Sequence, residues 1–187
     1  YVRCKLAMSL DGRTAMASGE SQWITGPEAR RAVHMMRARH DAVLVGAGTV
    51  RADNPTLTVR DIGIRRQPVR VVASSRLNFE APALRATLNE APLWLCHGPD
   101  ADTAPWATDG ITRLPCTLTG RQIDAADMMR ALAAHGLTRV FCEGGGTLAA
   151  SLLSAGLVDE IVGFTAGLVL GAEGTPQIGA MAAKRPG

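Results

Sequence analysis

The segment with the clearest chemical potential is Arg139–Leu148, where a short apolar run leads into a carboxylate at Glu143, three glycines and a helical pattern. This order predicts a strand, a turn and the start of a helix. Three glycines allow a sharp bend and let a ligand approach bare backbone amides, and the free N–H groups of a helix N-terminus attract a phosphate. The alternative is that the glycines only close the turn between strand and helix.

A second glycine turn, Gly46-Ala47-Gly48-Thr49, follows the apolar run Ala42–Val45. An unbroken apolar run of this length is typical of a strand that is buried on both faces. Thr49 is predicted to cap a short helix that ends at Asn54-Pro55. Ligands of an open α/β sheet collect at the carboxyl ends of its strands, so both glycine turns lie where a ligand could bind.

A cluster of polar residues, Ser74-Ser75-Arg76, directly follows the predicted strand Val69–Ala73. Two hydroxyls and a guanidinium at a strand end suit the 2′-phosphate of NADP, whereas an acidic residue there would favour the unphosphorylated ribose of NAD. The triplet therefore favours NADP, although a solvated turn would have the same composition. The chain contains no P-loop motif, which argues against a nucleoside triphosphatase.

Four charged side chains are candidates for a site. Lys5 interrupts the alternating strand pattern Val2–Met8, so its ammonium either reaches the edge of the sheet or points into a site. Glu143 ends a buried strand, where a carboxylate needs a partner or a polar cavity. Arg37 and Arg60 could bind an anion through their planar guanidinium groups, although a single arginine is more commonly just solvated.

Strands and helices alternate along most of the chain, which indicates an α/β sandwich with a largely parallel sheet. A helix is predicted from about residue 26, where Thr25 and Glu28 have capping-box spacing. Another is predicted from Asp124 to Gly136, and a third from Leu148 to Ala155. Further strands are predicted at 93–96, 111–114 and 160–164, whereas the tail 171–187 has no clear periodic element.

The composition is that of one globular domain, because 187 residues with 47% hydrophobic content can form a full core. We therefore expect residues 1–187 to form a single domain. A net charge of +3 without a basic run, together with only 4% aromatic residues, fits an anionic small molecule and argues against nucleic acid. The four cysteines lack metal-ligand spacing, so no metal site is predicted. No apolar segment has the length of a membrane span, and we expect a reducing cytoplasm.

Four blocks of sequence carry a family resemblance: Lys5–Arg13, Gly19–Thr25, Val45–Arg60 and Glu143–Thr147. In this order they resemble the pyrimidine reductase domain of riboflavin biosynthesis, and the resemblance covers most of the chain from residue 2 to about 172. It implies a dihydrofolate-reductase-like, three-layer α/β fold with a mostly parallel central sheet flanked by helices. It also implies NADPH as cofactor and reduction of the ribosyl group of a phosphoribosylaminopyrimidine to ribityl.

The resemblance also implies the residues that bind each ligand. NADPH would be bound by Ala7, Trp23, Thr49, Asp53, Ser75 and the run 145–151, which includes Gly145, Gly146, Thr147, Leu148 and Ala149. The phosphorylated substrate would be bound by Ser21, Arg37, Leu57, Arg60 and Glu143. Lys5 and Glu143 are the expected catalytic residues, with Lys5 orienting the ribose or assisting proton delivery. Many relatives have Asp where this chain has Ser74, a difference that concerns only the local cofactor contact.

Bacterial members of this family often carry an amino-terminal zinc deaminase domain with the motifs H-x-E and P-C-x-x-C. Neither motif occurs in this chain, so we expect reduction without deamination. The resemblance further implies a homodimer. Because the last strands of the family are not recognisable here, the chain could belong to a longer protein. Three alternatives stay open: reduction of the diaminopyrimidine before deamination, dihydrofolate reduction, and a non-catalytic NADPH-binding remnant.

Overall fold

The computed structural model describes residues 1–16 and 26–181. Its centre is a seven-stranded sheet in which all neighbouring strands run parallel. In spatial order the strands are β10 (Glu160–Ala166), β1 (Val2–Ser9), β9 (Val140–Gly144), β3 (Ala42–Gly46), β4 (Val69–Ser74), β5 (Leu93–His97) and β6 (Ile111–Pro115). Parallel neighbours need crossover connections, which the helices between the strands provide.

In the described part of the chain, five α-helices cover the sheet. They are α1 (Pro27–Ala38), α2 (Ala47–Asp53), α3 (Pro82–Ala86), α4 (Ala125–Ala134) and α5 (Gly146–Ser154), with a short 3₁₀ turn at Ala104–Trp106. Within residues 1–16 and 26–181, two small antiparallel pairs lie outside the sheet: β2 (Arg13–Ala15) pairs with β11 (Thr175–Pro176), and β7 (Leu118–Thr119) pairs with β8 (Gln122–Ile123).

Alternate side chains of the central strands enter two different cores, as expected for a sheet that is covered on both faces. Leu44 packs into a core that contains Leu132 of α4 and Leu152 of α5. Its neighbour Val43 packs into a second core, which contains Val50 of α2 and Leu84 of α3. Half-buried side chains of α1 complete this second core. The predicted three-layer α/β sandwich is therefore confirmed.

Helix boundaries differ from the sequence-based expectation at both glycine turns. The N-cap of α2 is Gly46, so Thr49 lies inside the helix and the prediction that it caps the helix is wrong. Helix α5 begins at Gly146, two residues before the predicted start at Leu148. It can begin there because Gly144 and Gly145 turn the chain with φ values of +129° and +87°, which residues with a Cβ rarely adopt.

Other termini agree with the sequence pattern. The Asp124 carboxylate caps α4 by accepting a hydrogen bond of 2.8 Å from the backbone N–H of Asp127, and Gly136 ends the helix with φ +85°. Thr25 of the predicted capping box lies outside the described residues. The tail contains the short strand β11, which the sequence pattern did not indicate. Among the helices of the described residues, none combines the length and apolar character needed to cross a membrane.

Candidate active site

The two glycine turns meet at the carboxyl edge of the sheet, because β3 and β9 are adjacent parallel strands. A Cβ added to Gly145 would lie 3.4 Å from Oγ1 of Thr49 and 3.9 Å from the Cα of Gly46. The approach is therefore close enough to favour glycine at position 145, in addition to its positive φ. Between these turns opens a cavity of about 310 Å³.

Backbone and polar groups from four elements line this cavity. Gly145, Thr147, Leu148 and Ser151 contribute from the turn and first part of α5, and Ser75 and Asn78 contribute from the segment after β4. A helix N-terminus beside a glycine turn is a favourable place for a phosphate, because its N–H groups lack partners within the helix. The cavity thus has the properties of a nucleotide phosphate site.

The charge of the cavity comes from two arginines, Arg51 at the end of α2 and Arg121 in the turn between β7 and β8. Among the described residues that line it, none has a carboxylate side chain. Ser74 also lines the cavity, but its hydroxyl already accepts a hydrogen bond of 3.1 Å from the backbone N–H of Leu77. Arg76, which the sequence suggested for a phosphate contact, is not among the lining residues. The guanidinium groups at the cavity are instead those of Arg51 and Arg121.

Gly146 has a structural reason to be glycine that does not involve a ligand. A Cβ at this position would lie 3.0 Å from the carbonyl oxygen of Gln177 and 3.2 Å from the backbone N of Gly179. The N–H of Gly179 donates a hydrogen bond of 2.9 Å to the carbonyl of Gly146. The two explanations for the glycine run are therefore both needed, since Gly145 faces the cavity and Gly146 packs against the tail.

Glu143 lies at an irregularity in the pairing of β3 and β9. Leu44 pairs with Cys142 and Val45 pairs with Gly144, so the register shifts and Glu143 has no partner on β3. Such bulges change the direction of a side chain and are common beside active sites. Here the bulge lies on the strand that leads directly into the glycine turn.

The Glu143 carboxylate forms an ion pair with Arg37 of α1. Nε and Nη2 of Arg37 donate to its two oxygens, the second at 2.8 Å, and the side chains of Arg37 and Glu143 are only 11% and 9% exposed. Nη1 of Arg37 donates to the carbonyl oxygen of Thr58 at 2.8 Å. Arg37 thus joins a helix, a strand and a loop, and two of its five N–H groups are still available to a ligand.

Lys5 lies beside Glu143 on the neighbouring strand. Cys4 pairs in register with Cys142, and the residues that follow them project from the opposite face of the sheet, where α1 lies. Burial lowers the pKa of Lys5, an effect that the Glu143 carboxylate opposes. The ammonium of Lys5 is therefore held away from bulk water and next to a carboxylate.

Asp53 at the end of α2 belongs to the same electrostatic environment. Although Asp53 is exposed as a residue, partial desolvation of its carboxylate raises its pKa, and the nearby charge of Lys5 counteracts this rise. Arg37 adds a smaller contribution that further lowers the pKa of Lys5. We call Lys5, Arg37, Asp53 and Glu143 the charged cluster, which lies next to the glycine turns.

We call the segment from Thr56 to Arg60 the 56–60 loop. It lies beside the charged cluster, because the carbonyl oxygen of Thr58 accepts a hydrogen bond from Arg37. Leu57 has a φ of +58°, and its side chain is buried in the second core. Any contact of Leu57 with a ligand would therefore use its main chain. Arg60 is exposed, and its Nη1 donates to Oγ1 of Thr56 at 3.2 Å.

The structure brings many of the expected residues together, but not all of them. Gly145, Thr147, Leu148 and Ser75 line the cavity, and Thr49 lies directly behind Gly145. Gly146 and Ala149 do not line it, and Ala149 is only 1% exposed within α5. Ala7 lies on β1 beyond Lys5. The expected contacts Ser21 and Trp23 lie outside the described residues.

Several residues at the site had no clear signal in the sequence. Arg51, Asn78 and Arg121 line the cavity, but each lies in a segment whose pattern marks only a helix end or a turn. Gln67 binds the backbone of Val59 through both ends of its amide group. No spacing rule connects these positions, because the contacts depend on how the loops fold. The described residues contain no group of three His, Cys, Asp or Glu side chains that could hold a metal ion.

Comparison with known proteins places the chain in a family. The family model described as the RibD C-terminal domain matches residues 1–184. The chain is 39% identical over 185 residues to the Riboflavin biosynthesis protein RibD of Escherichia coli, covering 92% of this chain and 50% of that protein. It is 36% identical over 181 residues to the chloroplastic Riboflavin biosynthesis protein PYRR of Zea mays, covering 92% of this chain and 27% of that protein.

Solved structures show the same relationship. The structure of Acinetobacter baumannii RibD, form 2, matches with a TM-score of 0.81 and 31% identity, covering 98% of this chain and 50% of that chain. A Thermotoga maritima diaminohydroxyphosphoribosylaminopyrimidine deaminase/5-amino-6-(5-phosphoribosylamino)uracil reductase matches with a TM-score of 0.80 and 29% identity, covering 98% of this chain and 49% of that chain. The chain thus spans about half the length of the bacterial RibD proteins that it matches. It belongs to the RibD C-terminal domain family.

Proposed function

We propose that this chain catalyses the NADPH-dependent reduction of 5-amino-6-(5-phosphoribosylamino)uracil to its ribitylamino product, and that residues 1–187 act as one reductase domain. The observation that carries the proposal is the position of the charged cluster directly beside the cavity at the glycine turns. The cavity, which can bind phosphate, and the charged cluster, which can act on a substrate, therefore lie at the same edge of the sheet. The Thermotoga maritima relative is named as a reductase of this substrate.

The residues at the cavity fit the phosphate groups of NADPH. The close approach at Gly145 keeps the turn open, and the amides at the start of α5 would bind the pyrophosphate. Ser75 and Asn78, with the guanidinium groups of Arg51 and Arg121, would bind the 2′-phosphate of the adenosine. When bound, this cofactor supplies a hydride from C4 of its nicotinamide. Trp23, Ala7 and Asp53 are proposed as further cofactor contacts, whereas Ala149 is too deeply buried within α5 for a direct contact.

The substrate would bind on the side of the 56–60 loop. The exposed guanidinium of Arg60 would form the main contact with the 5′-phosphate, and Arg37 would contribute its two remaining N–H groups. Glu143 is held by Arg37, and its carboxylate would accept hydrogen bonds from the polar groups of the substrate. Leu57, through its main chain, and Ser21 complete the proposed set of substrate contacts.

Lys5 is proposed to deliver a proton. In the ring-opened form of the substrate, C1′ and the exocyclic nitrogen form an imine, and the former ring oxygen is a hydroxyl at C4′. Reduction adds a hydride to C1′ and a proton to the nitrogen, which gives a secondary amine. Burial lowers the pKa of Lys5, so its ammonium gives up a proton more readily than an exposed lysine would and can regain one from solvent. A water molecule held by the charged cluster could deliver the proton instead.

The test is steady-state NADPH oxidation with the deaminated and the non-deaminated pyrimidine substrates, carried out on the full native chain. We expect kcat/KM for the aminouracil to exceed that for the diaminopyrimidine at least tenfold. The opposite preference would assign the chain to reduction before deamination. Oxidation of NADPH with dihydrofolate alone, or tight NADPH binding without turnover of either pyrimidine, would overturn the proposal.

The setting of the domain is part of the same proposal. Four free, buried cysteines suit a reducing cytoplasm, and we propose this compartment for the chain. We also propose that the active form is a homodimer and that the native protein carries a deaminase domain, since the bacterial RibD relatives are about twice as long as this chain. Sedimentation of the full native chain would test the oligomeric state.

A further inference from the structure

The 56–60 loop is held in place by side chains rather than by a neighbouring strand. Five of its backbone groups bind side chains from outside the loop: the carbonyls of Thr56, Thr58 and Val59 and the N–H groups of Val59 and Arg60. Within the described residues, no backbone hydrogen bond of a turn or loop involves these five positions. The conformation of the loop therefore depends on these side chains.

The loop also contains a conformation that needs support. Leu57 has a φ of +58°, in the left-handed region that residues with a Cβ rarely adopt. Strained positions of this kind persist when the surroundings determine them and are common at ligand sites. The Leu57 side chain is 2% exposed, so its burial in the second core fixes one end of the loop. At the Arg60 end the side chain of Val59 is also buried, at 5% exposure, whereas Arg60 itself is exposed and its backbone is held by polar contacts.

Gln67 holds the backbone immediately before Arg60. Its Oε1 accepts from the N–H of Val59 at 2.7 Å, and its Nε2 donates to the carbonyl of Val59 at 3.0 Å. One side-chain amide thus satisfies both backbone groups of a residue, as a partner strand does in a sheet. A single side chain that makes both contacts restrains the position of Val59 and the direction of the chain on both sides.

His34 of α1 holds the backbone of Arg60 itself. Nδ1 of His34 accepts a hydrogen bond of 3.2 Å from the Arg60 N–H. A ring nitrogen that accepts cannot carry a proton, so the imidazole is neutral with its proton on Nε2. Burial lowers the pKa of His34, and the charges of Arg37 and Arg60 lower it further, while Glu143 and Asp61 oppose them. The environment therefore favours the form that the contact requires.

We propose that Gln67 and His34 are positioning residues for substrate binding, which fix the main chain at Val59 and Arg60 and thereby aim the guanidinium of Arg60 at the substrate phosphate. This inference rests on the proposed function, which assigns the phosphate contact to Arg60. A long exposed side chain loses less freedom on binding when its backbone is already fixed. The contact of Arg60 Nη1 with Thr56 Oγ1 at 3.2 Å further restricts the guanidinium across the loop.

The test uses variants that separate the two ring nitrogens of His34. In His34→Asn the side-chain oxygen can occupy the place of Nδ1 and keep the acceptor, whereas His34→Gln places its amide nearer the position of Nε2. We expect His34→Ala, His34→Gln and Gln67→Ala to raise KM for the phosphorylated substrate about 3- to 10-fold, the range expected for losing one or two neutral hydrogen bonds. His34→Asn is expected to stay within twofold of the wild type, and kcat of all variants to change less than twofold.

The dissociation constant of ribose 5-phosphate, with Arg60→Ala as reference, gives a readout that does not depend on turnover. If Arg60→Ala weakens this binding but His34→Ala and Gln67→Ala do not, the positioning inference is wrong and the phosphate assignment stands. If Arg60→Ala has no effect either, the phosphate assignment itself fails. Equal losses for ribose 5-phosphate and for NADPH would reveal a general structural role and also overturn the inference. Melting temperatures and the variant Gln67→Glu, which keeps the acceptor for Val59, control for misfolding.

Discussion

The guanidinium of Arg37 and the carboxylate of Glu143 face each other through two nitrogens and two oxygens, although the residues are 106 positions apart in the sequence. The contact joins α1 to the bulged end of β9, where the glycine turn begins. Both side chains are largely buried, and their charges act on Lys5 in opposite directions, since Glu143 raises the pKa of Lys5 and Arg37 lowers it. Arg37 therefore has a role within the protein in addition to the proposed contact with the substrate.

Removing one member of this pair is expected to be costly. Arg37→Met leaves the Glu143 carboxylate buried without its partner, and we expect a loss of about 3–5 kcal/mol in the free energy of unfolding. The double variant Arg37→Met/Glu143→Leu is expected to regain most of this loss, since an apolar pair replaces the buried charges, but to have no reductase activity. Urea unfolding and NADPH oxidation measure the two effects.

The matched control for this prediction is the exposed pair of Arg66 and Asp41, in which the arginine side chain is 64% exposed. We expect Arg66→Met to change the free energy of unfolding by about 1 kcal/mol or less, since exposed pairs contribute little. A double variant of Arg37 and Glu143 that is as unstable as Arg37→Met alone would show that the ion pair is not the source of the loss.

Lys5 should determine the alkaline side of the pH–rate profile. If its protonated ammonium delivers the proton, activity falls as pH rises through its pKa, which burial lowers from the ordinary value of 10.5. We expect Lys5→Met to reduce kcat about 100-fold or more and to abolish this alkaline decline. The measurement is kcat against pH for the wild type and the variant. An unchanged alkaline decline in Lys5→Met would assign proton delivery to another group.

Selection of NADPH over NADH is expected to depend on Arg51 and Arg121 rather than on Arg76, because only the first two line the cavity. We expect Arg51→Ala and Arg121→Ala each to weaken binding of adenosine 2′,5′-bisphosphate about tenfold, the effect of losing a charge-assisted contact. Calorimetric titration measures the dissociation constant of this ligand. AMP, which lacks the 2′-phosphate, is the control ligand. A loss for Arg76→Ala and none for the other two variants would reverse the assignment.

His40 should make stability depend on pH. It is 1% exposed, its Nδ1 lies 2.6 Å from the carbonyl oxygen of Met36, and burial lowers its pKa below the ordinary 6.5. The unfolded chain therefore binds the proton more readily than the folded protein. The contribution of neutral His40 is complete above about pH 6.5 and is lost as pH falls below that value.

Urea unfolding between pH 7.5 and 5 is expected to show this decline, and His40→Gln should reduce its slope. His135 is the matched control, since its Nδ1 also lies near a carbonyl four residues earlier, at 2.9 Å from Ala131, but the residue is exposed. We expect His135→Gln to keep the wild-type slope. Equal slopes for the wild type and His40→Gln would contradict the assignment to His40.

Much of the fold could be predicted because it depends on local patterns. The apolar run Ala42–Val45 and the alternation of Val2–Met8 correctly indicated strands, and Asp124 correctly indicated a helix start. The start of α5 was placed two residues late because the pattern does not reveal that Gly146 can be helical. Thr49 has the residue type of a cap, but the glycine before the helix takes that position.

The site could be predicted only where one segment supplies it. The glycine turn at Gly145 and the polar end of β4 at Ser75 both line the cavity, as their positions at strand ends suggested. Residue spacing in the sequence could not predict the ion pair of Arg37 with Glu143. It also could not predict the two hydrogen bonds from the Gln67 side chain to the Val59 backbone. Such contacts form between side chains of distant segments, so they depend on the packing of the sheet and its helices.

The most direct test of the central claim follows the hydride. The full native chain is incubated with 5-amino-6-(5-phosphoribosylamino)uracil and NADPH that carries deuterium at C4 in either stereochemical position, and the ribitylamino product is analysed by mass spectrometry and NMR. We expect one of the two labelled cofactors to give a product with a single deuterium at C1′. Consumption of NADPH without deuterium at C1′ from either cofactor, or no ribityl product at all, would contradict the account.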